Sequence, residues 1–134
     1  MSSVELVGGR YRIEAQLGEG GMGAVYWATD ERTGASVALK RVALPRRASA
    51  ARRAVLRFER EFHTLASLRH PRIVRAFDYG VDARGPFYTM ELLEGVDLRD
   101  LLRDRGPLPP AEACRLLRDV ASALAALHAR GFVH

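Results

Sequence analysis

At 134 residues the chain has room for one small domain, or for one lobe and part of a second, and excludes a large multidomain enzyme. Its 48% hydrophobic and 28% charged residues exclude a disordered tail and predict a folded globular protein. The net charge of +5 would suit a polyanion, but the arginines are scattered, with Arg46, Arg47, Arg52 and Arg53 the densest group, so the charge reads as a solvated face and no nucleic-acid partner is expected.

Residues 1–9 are expected to form an N-terminal extension with no apolar core of signal-peptide length. From Tyr11 to Leu17, Tyr11, Ile13, Ala15 and Leu17 alternate with polar residues, a period of two that predicts a half-buried strand. It runs into "GEGGMG", where Gly18, Gly20 and Gly23 with Val25 spell G-x-G-x-x-G-x-V. Glycines at this spacing let backbone N–H groups close over a polyphosphate, because no Cβ blocks the approach. A dinucleotide-binding site would need a helix directly after the glycines, whereas "AVYWATD" reads as a strand. "DERTG" is a turn and "ASVALKRV" a third strand, which places Ala38 and Lys40 on one face and Val37 and Leu39 on the other. Lys40 is the only lysine among 21 basic residues, which points to a position that requires a compact ammonium rather than a guanidinium fork.

Between residues 46 and 70 the period changes to three and four, with Val55, Phe58, Phe62, Leu65 and Leu68 forming one stripe of a helix that "HP" terminates. With Val55 at zero and about 100° per residue, Phe62, Leu65 and Leu68 fall at about 340°, 280° and 220°, and Glu61 at about 240°, inside the stripe. A carboxylate there needs a cation, and Lys40 is the candidate; Glu59, at the stripe's edge, can reach water. Were the pair buried, removing Lys40 would strand Glu61 at a cost of ~3–5 kcal/mol. "RIVRAFDYG" and "PFYTMELL" read as two further strands joined by the turn "VDARG", followed by a linker near "LEGVD", a short helix in "DLRDLLRDRG" and a long one in "PPAEACRLLRDVASALAALHARG". The predicted fold is α+β: a five-stranded antiparallel sheet with one inserted helix, then two helices. His63, His70, His128 and His134 have no metal-site spacing, and His128 is expected in the core with Leu117, Val120, Leu124 and Leu127. Ser49, in "RRAS", is a helix N-cap candidate as well as a short basophilic phosphorylation match. The lone Cys114 and the absence of an apolar run long enough to span a bilayer lead to an expected cytoplasmic setting.

These motifs, in this order, resemble the protein kinase family, specifically bacterial serine/threonine kinases of eukaryotic type, over residues 10–134. "LGEGGMGAVY" is similar to the family's Gly-rich loop, "VALK" to its phosphate-lysine strand, "RFEREFHTLASLRHPRIV" to its helix C and following strand, and "GFVH" to the run into its H-R-D loop. The resemblance implies a kinase-like fold with an N-lobe at 10–93, a hinge at 94–97 and the start of a C-lobe at 98–134. It implies that Gly18, Glu19, Gly20, Gly21, Met22 and Gly23 cover the ATP phosphates, that Val25 and Ala38 form an apolar roof over the adenine with Leu17 at its edge, that Lys40 binds the α- and β-phosphates, and that Glu61 fixes Lys40. Met90 would stand behind the adenine, Glu91 and Leu93 would offer it backbone hydrogen bonds, and Asp97 would contact the ribose. ATP and a protein with Ser or Thr hydroxyls are the implied partners. The catalytic Asp, the magnesium ligands and the activation loop would follow His134, so the 134 residues alone are expected to be inactive without the missing C-lobe. The alternatives are a non-catalytic nucleotide-binding or scaffold fragment docking on another kinase, and a basic nucleic-acid-binding module.

Overall fold

The computed structural model describes residues 4–20 and 23–134. Among these, six strands and three helices follow in the order β1 (Leu6–Val7), β2 (Tyr11–Gly20), β3 (Gly23–Asp30), β4 (Ser36–Val42), α1 (Ala48–Ser67), β5 (Ala76–Asp82), β6 (Gly85–Met90), α2 (Leu98–Arg105) and α3 (Pro110–Ala129). The chain divides into two compact units, residues 1–67 with 74–92, and residues 68–73 with 93–134.

The first unit is a single antiparallel sheet of strand order β1-β2-β3-β4-β6-β5, with α1 inserted between β4 and β5. Five strands were expected and six are present, because residues 4–9 of the expected extension fold back on the sheet. Gly8 and Gly9 adopt positive φ values of 58° and 67°, a turn that lays Leu6 opposite Arg12 and Val7 opposite Tyr11. The space at Gly8 also demands glycine, since a Cβ there would lie 2.7 Å from the Phe87 ring. Two expected turns are present: Gly34 N–H donates to the Asp30 carbonyl at 2.7 Å, and Asp82 pairs with Gly85 to close a two-residue hairpin. The fifth strand starts at Ala76, so Ile73 and Val74 lie outside it.

Alternation along the strands builds two cores, one on each face. Val7, Tyr11, Ala28, Val37, Leu39 and Phe87 form the first, and Ile13 and Tyr26 pack against it. The second lies between the sheet and α1, where Phe58 and Phe62 meet Ala76 and Tyr88. The helix spans Ala48 to Ser67, shorter at both ends than the 46–70 periodic stretch. Its first residue is Ala48, and the Arg47 carbonyl accepts from Ala51 N–H, so Ser49 lies within the first turn and is not the N-cap. Outside the cores, Arg41 reaches across β6 to bind Asp82 of β5 through both terminal guanidinium nitrogens, at 2.9 and 2.6 Å, with its guanidinium carbon 5.7 Å from the Phe87 ring centre. Arg10 binds Asp30 in the same bidentate manner at 2.9 and 2.6 Å.

The second unit comprises α2, α3 and the segment 68–73, which is tied to α3 by His70 Nε2 to Ser122 Oγ at 3.1 Å and by the Arg72–Asp119 ion pair at 3.6 Å. Asp97 caps α2, its Oδ1 accepting from Asp100 N–H at 2.8 Å, and Gly106 closes the helix at φ 77°. Along α3, Leu117 and Val120 are exposed, and so is His128, which corrects its expected place in a core. Leu124 and Leu127 of the same stripe are half-buried.

Candidate functional site

Strand register brings the candidate residues into two rungs. Gly18 pairs with Val25, Val25 with Lys40, and Lys40 with Tyr88; the neighbouring rung runs from Ala15 through Trp27 and Ala38 to Met90. Residues directly opposite one another project to the same face, so Val25, Ala38, Lys40, Tyr88 and Met90 share the face that α1 packs against. The two rungs lie two residues apart along the strand, about 6.6 Å.

On this face Lys40 Nζ meets Glu61 Oε1 at 2.6 Å. The helix supplies the carboxylate because Phe58 and Phe62, three before and one after it, anchor α1 on the ring of Tyr88, with centroid separations of 4.9 and 5.7 Å. The pair is less buried than the helical stripe implied: the Lys40 side chain is 23% exposed and that of Glu61 36%. Glu61 sits one helical step to the open side of Phe62, where Arg57 and Pro45 line a small cavity with it and Lys40. Burial pushes the Glu61 carboxyl up, but hydrogen bonds from Lys40 and Tyr88 more than reverse this and hold it below its ordinary value.

Tyr88 was missed by sequence reasoning. Its hydroxyl donates to the same Glu61 Oε1 that accepts from Lys40, and its ring lies 5.9 Å from Lys40 Nζ. Period two from Met90 along β6 would have placed it on the correct face, but a tyrosine among apolar strand residues reads as core. Trp27, 40% exposed on the Ala38–Met90 rung, carries no signal in the sequence beyond that of a strand former.

The three motif glycines differ in what the fold asks of them. Gly23 has φ 144°, and a Cβ there would lie 1.9 Å from the Arg41 carbonyl oxygen, so the β3–β4 pairing itself requires glycine. Gly18 and Gly20 have no positive φ, and a Cβ at either would meet nothing within 4 Å. Glu19 lies between them, pairs with Ala24, and accepts from Gln16 Nε2 at 3.3 Å. Leu17 occupies a register shift in β2 between Gln16 and Gly18 and is 55% exposed. Gly21 and Met22 lie outside the described residues. Glu91 N–H is taken by the Arg75 carbonyl at 2.9 Å, while Leu93 and Asp97 belong to the second unit.

A protein kinase domain model matches residues 11–134. The chain belongs to the protein kinase family. Among curated relatives it is 40% identical to the serine/threonine-protein kinase PknL of Mycobacterium tuberculosis over 129 residues, covering 96% of this chain and 32% of that one. It is 42% identical to PknD of the same organism, covering 94% of this chain and 19% of PknD, and 39% identical to pkn2 of Myxococcus xanthus, covering 94% and 15%. The kinase chain described here therefore spans about a third or less of these relatives. Among solved structures, Rad53 1–466 in complex with AMP-PNP superposes with a TM-score of 0.78 at 26% identity, covering 93% of this chain and 32% of that one. The apo form of PpkA-294 superposes with a TM-score of 0.80 at 24% identity, covering 93% and 50%, a likeness of fold.

Proposed function

We propose that this chain is the ATP-binding portion of a serine/threonine protein kinase, which transfers the γ-phosphate of ATP to protein Ser or Thr hydroxyls when joined to the rest of a kinase domain. The observation that carries this reading is the rung Gly18–Val25–Lys40, ending in the Lys40–Glu61 contact. It sets a lone ammonium, already oriented by a carboxylate, opposite a glycine strand whose missing side chains at positions 18 and 20 the fold does not require. A ligand that needs close backbone approach explains those two glycines, and a polyphosphate is such a ligand.

In this reading the backbone of residues 18–23, including Glu19, Gly21 and Met22, covers the phosphates, and Lys40 contacts the α- and β-phosphates with its ammonium donors. Glu61 keeps Lys40 in place. Val25, Ala38 and Leu17 contact the base, with Met90 behind it and Glu91 contributing main chain, and the offset of about 6.6 Å between the Ala38 and Lys40 rungs separates base from phosphate. Phosphoryl transfer depends on positioning and charge stabilisation, and these residues supply the nucleotide half of both.

Magnesium would neutralise the phosphate charge during transfer. Among the described residues no group of three or more Asp, Glu, His or Cys side chains could hold a metal. In this reading the catalytic Asp and the magnesium ligands belong to the rest of the kinase domain, so the 134 residues alone should bind nucleotide without turning it over. A cytoplasmic setting completes the proposal, supported by the lone Cys114, which is exposed.

The test is nucleotide titration of the chain, followed by the emission of Trp27, its one tryptophan, which stands on the rung of Ala38 and Met90. Saturable quenching by ATP that is lost in Lys40→Met supports the reading. Equal affinity in both proteins refutes the role given to Lys40.

A further inference from the structure

The Lys40–Glu61 contact has a third member that neither strand alternation nor the family match assigns a role. We propose that Tyr88 is a positioning residue, whose buried hydroxyl donates to Glu61 Oε1 and holds the α1 carboxylate on the sheet independently of Lys40. For its consequence at the nucleotide this rests on the function proposed above; the geometry stands without it.

Tyr88 is 1% exposed, and a tyrosine that deep must find a partner for its O–H. A phenylalanine would present the same ring to Phe58 and Phe62, so packing alone does not call for a hydroxyl here. The ring sets the height of α1 above the sheet through its two phenylalanine neighbours, and the hydroxyl then fixes where the carboxylate of the intervening Glu61 points. Burial and the adjacent Glu61 carboxylate both push the Tyr88 hydroxyl well above the usual tyrosine range, which favours its donor form beside the carboxylate. The charged and titratable groups around the Glu61 carboxylate are Lys40 from β4, Tyr88 from β6 and Arg57, one turn back along α1, which lines the same cavity.

A second donor matters because Lys40 has two duties. Its ammonium carries three N–H donors, and a phosphate that recruits some of them weakens its hold on Glu61. With Tyr88 in place, Glu61 keeps a hydrogen bond from a rigid, buried group while Lys40 adjusts to the nucleotide. The helix position then does not depend on one flexible side chain.

The test uses the chain with glutamate labelled at the carboxyl carbon, the Glu61 signal being assigned by its loss in Glu61→Gln. Tyr88→Phe removes only the hydroxyl and should move the Glu61 titration midpoint upward. Lys40, the sole ε-amino group in the chain, should in the same variant acylate about threefold to tenfold faster with an N-hydroxysuccinimide ester, as its carboxylate partner becomes mobile. An unchanged Glu61 midpoint, whether or not stability falls, would mark Tyr88 as packing only and overturn the proposal. A readout needing no variant is the wild-type hydroxyl proton: a slowly exchanging signal with a cross-peak to the Glu61 side chain supports the assignment, and rapid exchange with water overturns it. If ATP fails to bind wild type while the Tyr88→Phe midpoint moves, the kinase reading of the site fails and the positioning role stands.

Discussion

Replacing Lys40 by Met tests the pair at the centre of the site, and its effect on stability can be worked from the contact itself. A fully buried ion pair broken on one side costs ~3–5 kcal/mol, because the surviving charge is left without water or partner. An exposed pair is worth about 0.2–1 kcal/mol. Here Glu61 is 36% exposed and keeps the Tyr88 hydroxyl after Lys40 is gone, so neither condition for the large value holds. Lys40 is more enclosed, at 23%, and the contact is a charge-assisted hydrogen bond of 2.6 Å, so the small value is also too low. The expected loss is about 1–2 kcal/mol, read from urea unfolding followed by Trp27, which sits in β3 next to the strand carrying Lys40. A loss above about 3 kcal/mol would mean that Glu61 is dry and unsupported without Lys40, against both its exposure and its bond to Tyr88. No loss at all, with Glu61 titrating as before, would mean that the contact is not formed in solution. The ATP affinity should fall by about tenfold to a hundredfold, the worth of a hydrogen bond between charged groups.

The motif glycines should separate stability from binding. Gly23→Ala forces a Cβ into the Arg41 carbonyl oxygen and should cost more than about 2 kcal/mol in urea unfolding, whereas Gly18→Ala and Gly20→Ala should leave stability within about 0.5–1 kcal/mol, or raise it, while weakening ATP quenching of Trp27. On the acid side, hydrogen bonds from Arg10 hold the Asp30 carboxyl far below its ordinary 3.8, so its contribution is present above that value and lost as pH falls below it. Asp30→Asn should therefore be less stable than wild type at pH 7 and should lose less on acidification, as measured by unfolding at a series of pH values. Glu61 and Asp82, both lowered, act with the same sign. Lys40→Arg should lose ATP affinity nearly as fully as Lys40→Met, a comparison made in the same titration.

Much of this arrangement was legible because it obeys local periods. The alternation in "ASVALKRV" separated Leu39 from Lys40 correctly, and the helical step placed Glu61 beside Phe62 on the side of α1 that meets the sheet. What stayed hidden depended on contacts between distant segments. The strand Leu6–Val7 is two residues long and exists only because Gly8 and Gly9 turn it onto Tyr11, so no period could announce it. The bonds of Arg41 to Asp82 and of Tyr88 to Glu61 join residues 41 and 27 positions apart, and become visible only when the strand order β4-β6-β5 is known. His128 was misplaced for a related reason: an apolar helical stripe reports a face that some neighbour can cover, and says nothing of which residues supply that neighbour.

The single lysine follows from the same geometry. Twenty of the 21 basic residues are arginine, and in the sheet two of them use the fork: Arg10 on Asp30 and Arg41 on Asp82 each engage both oxygens of one carboxylate. At position 40 a bidentate grip on Glu61 would be a disadvantage. Glu61 Oε1 already receives the Tyr88 hydroxyl, and under the function proposed above the cation would have to spare donors for a phosphate on the side of Gly18. An ammonium binds one oxygen through one N–H and turns its other two elsewhere; a guanidinium locked onto a carboxylate commits its plane to that carboxylate. The cation that links two partners at one point is therefore lysine, in a chain that otherwise builds its ion pairs from arginine.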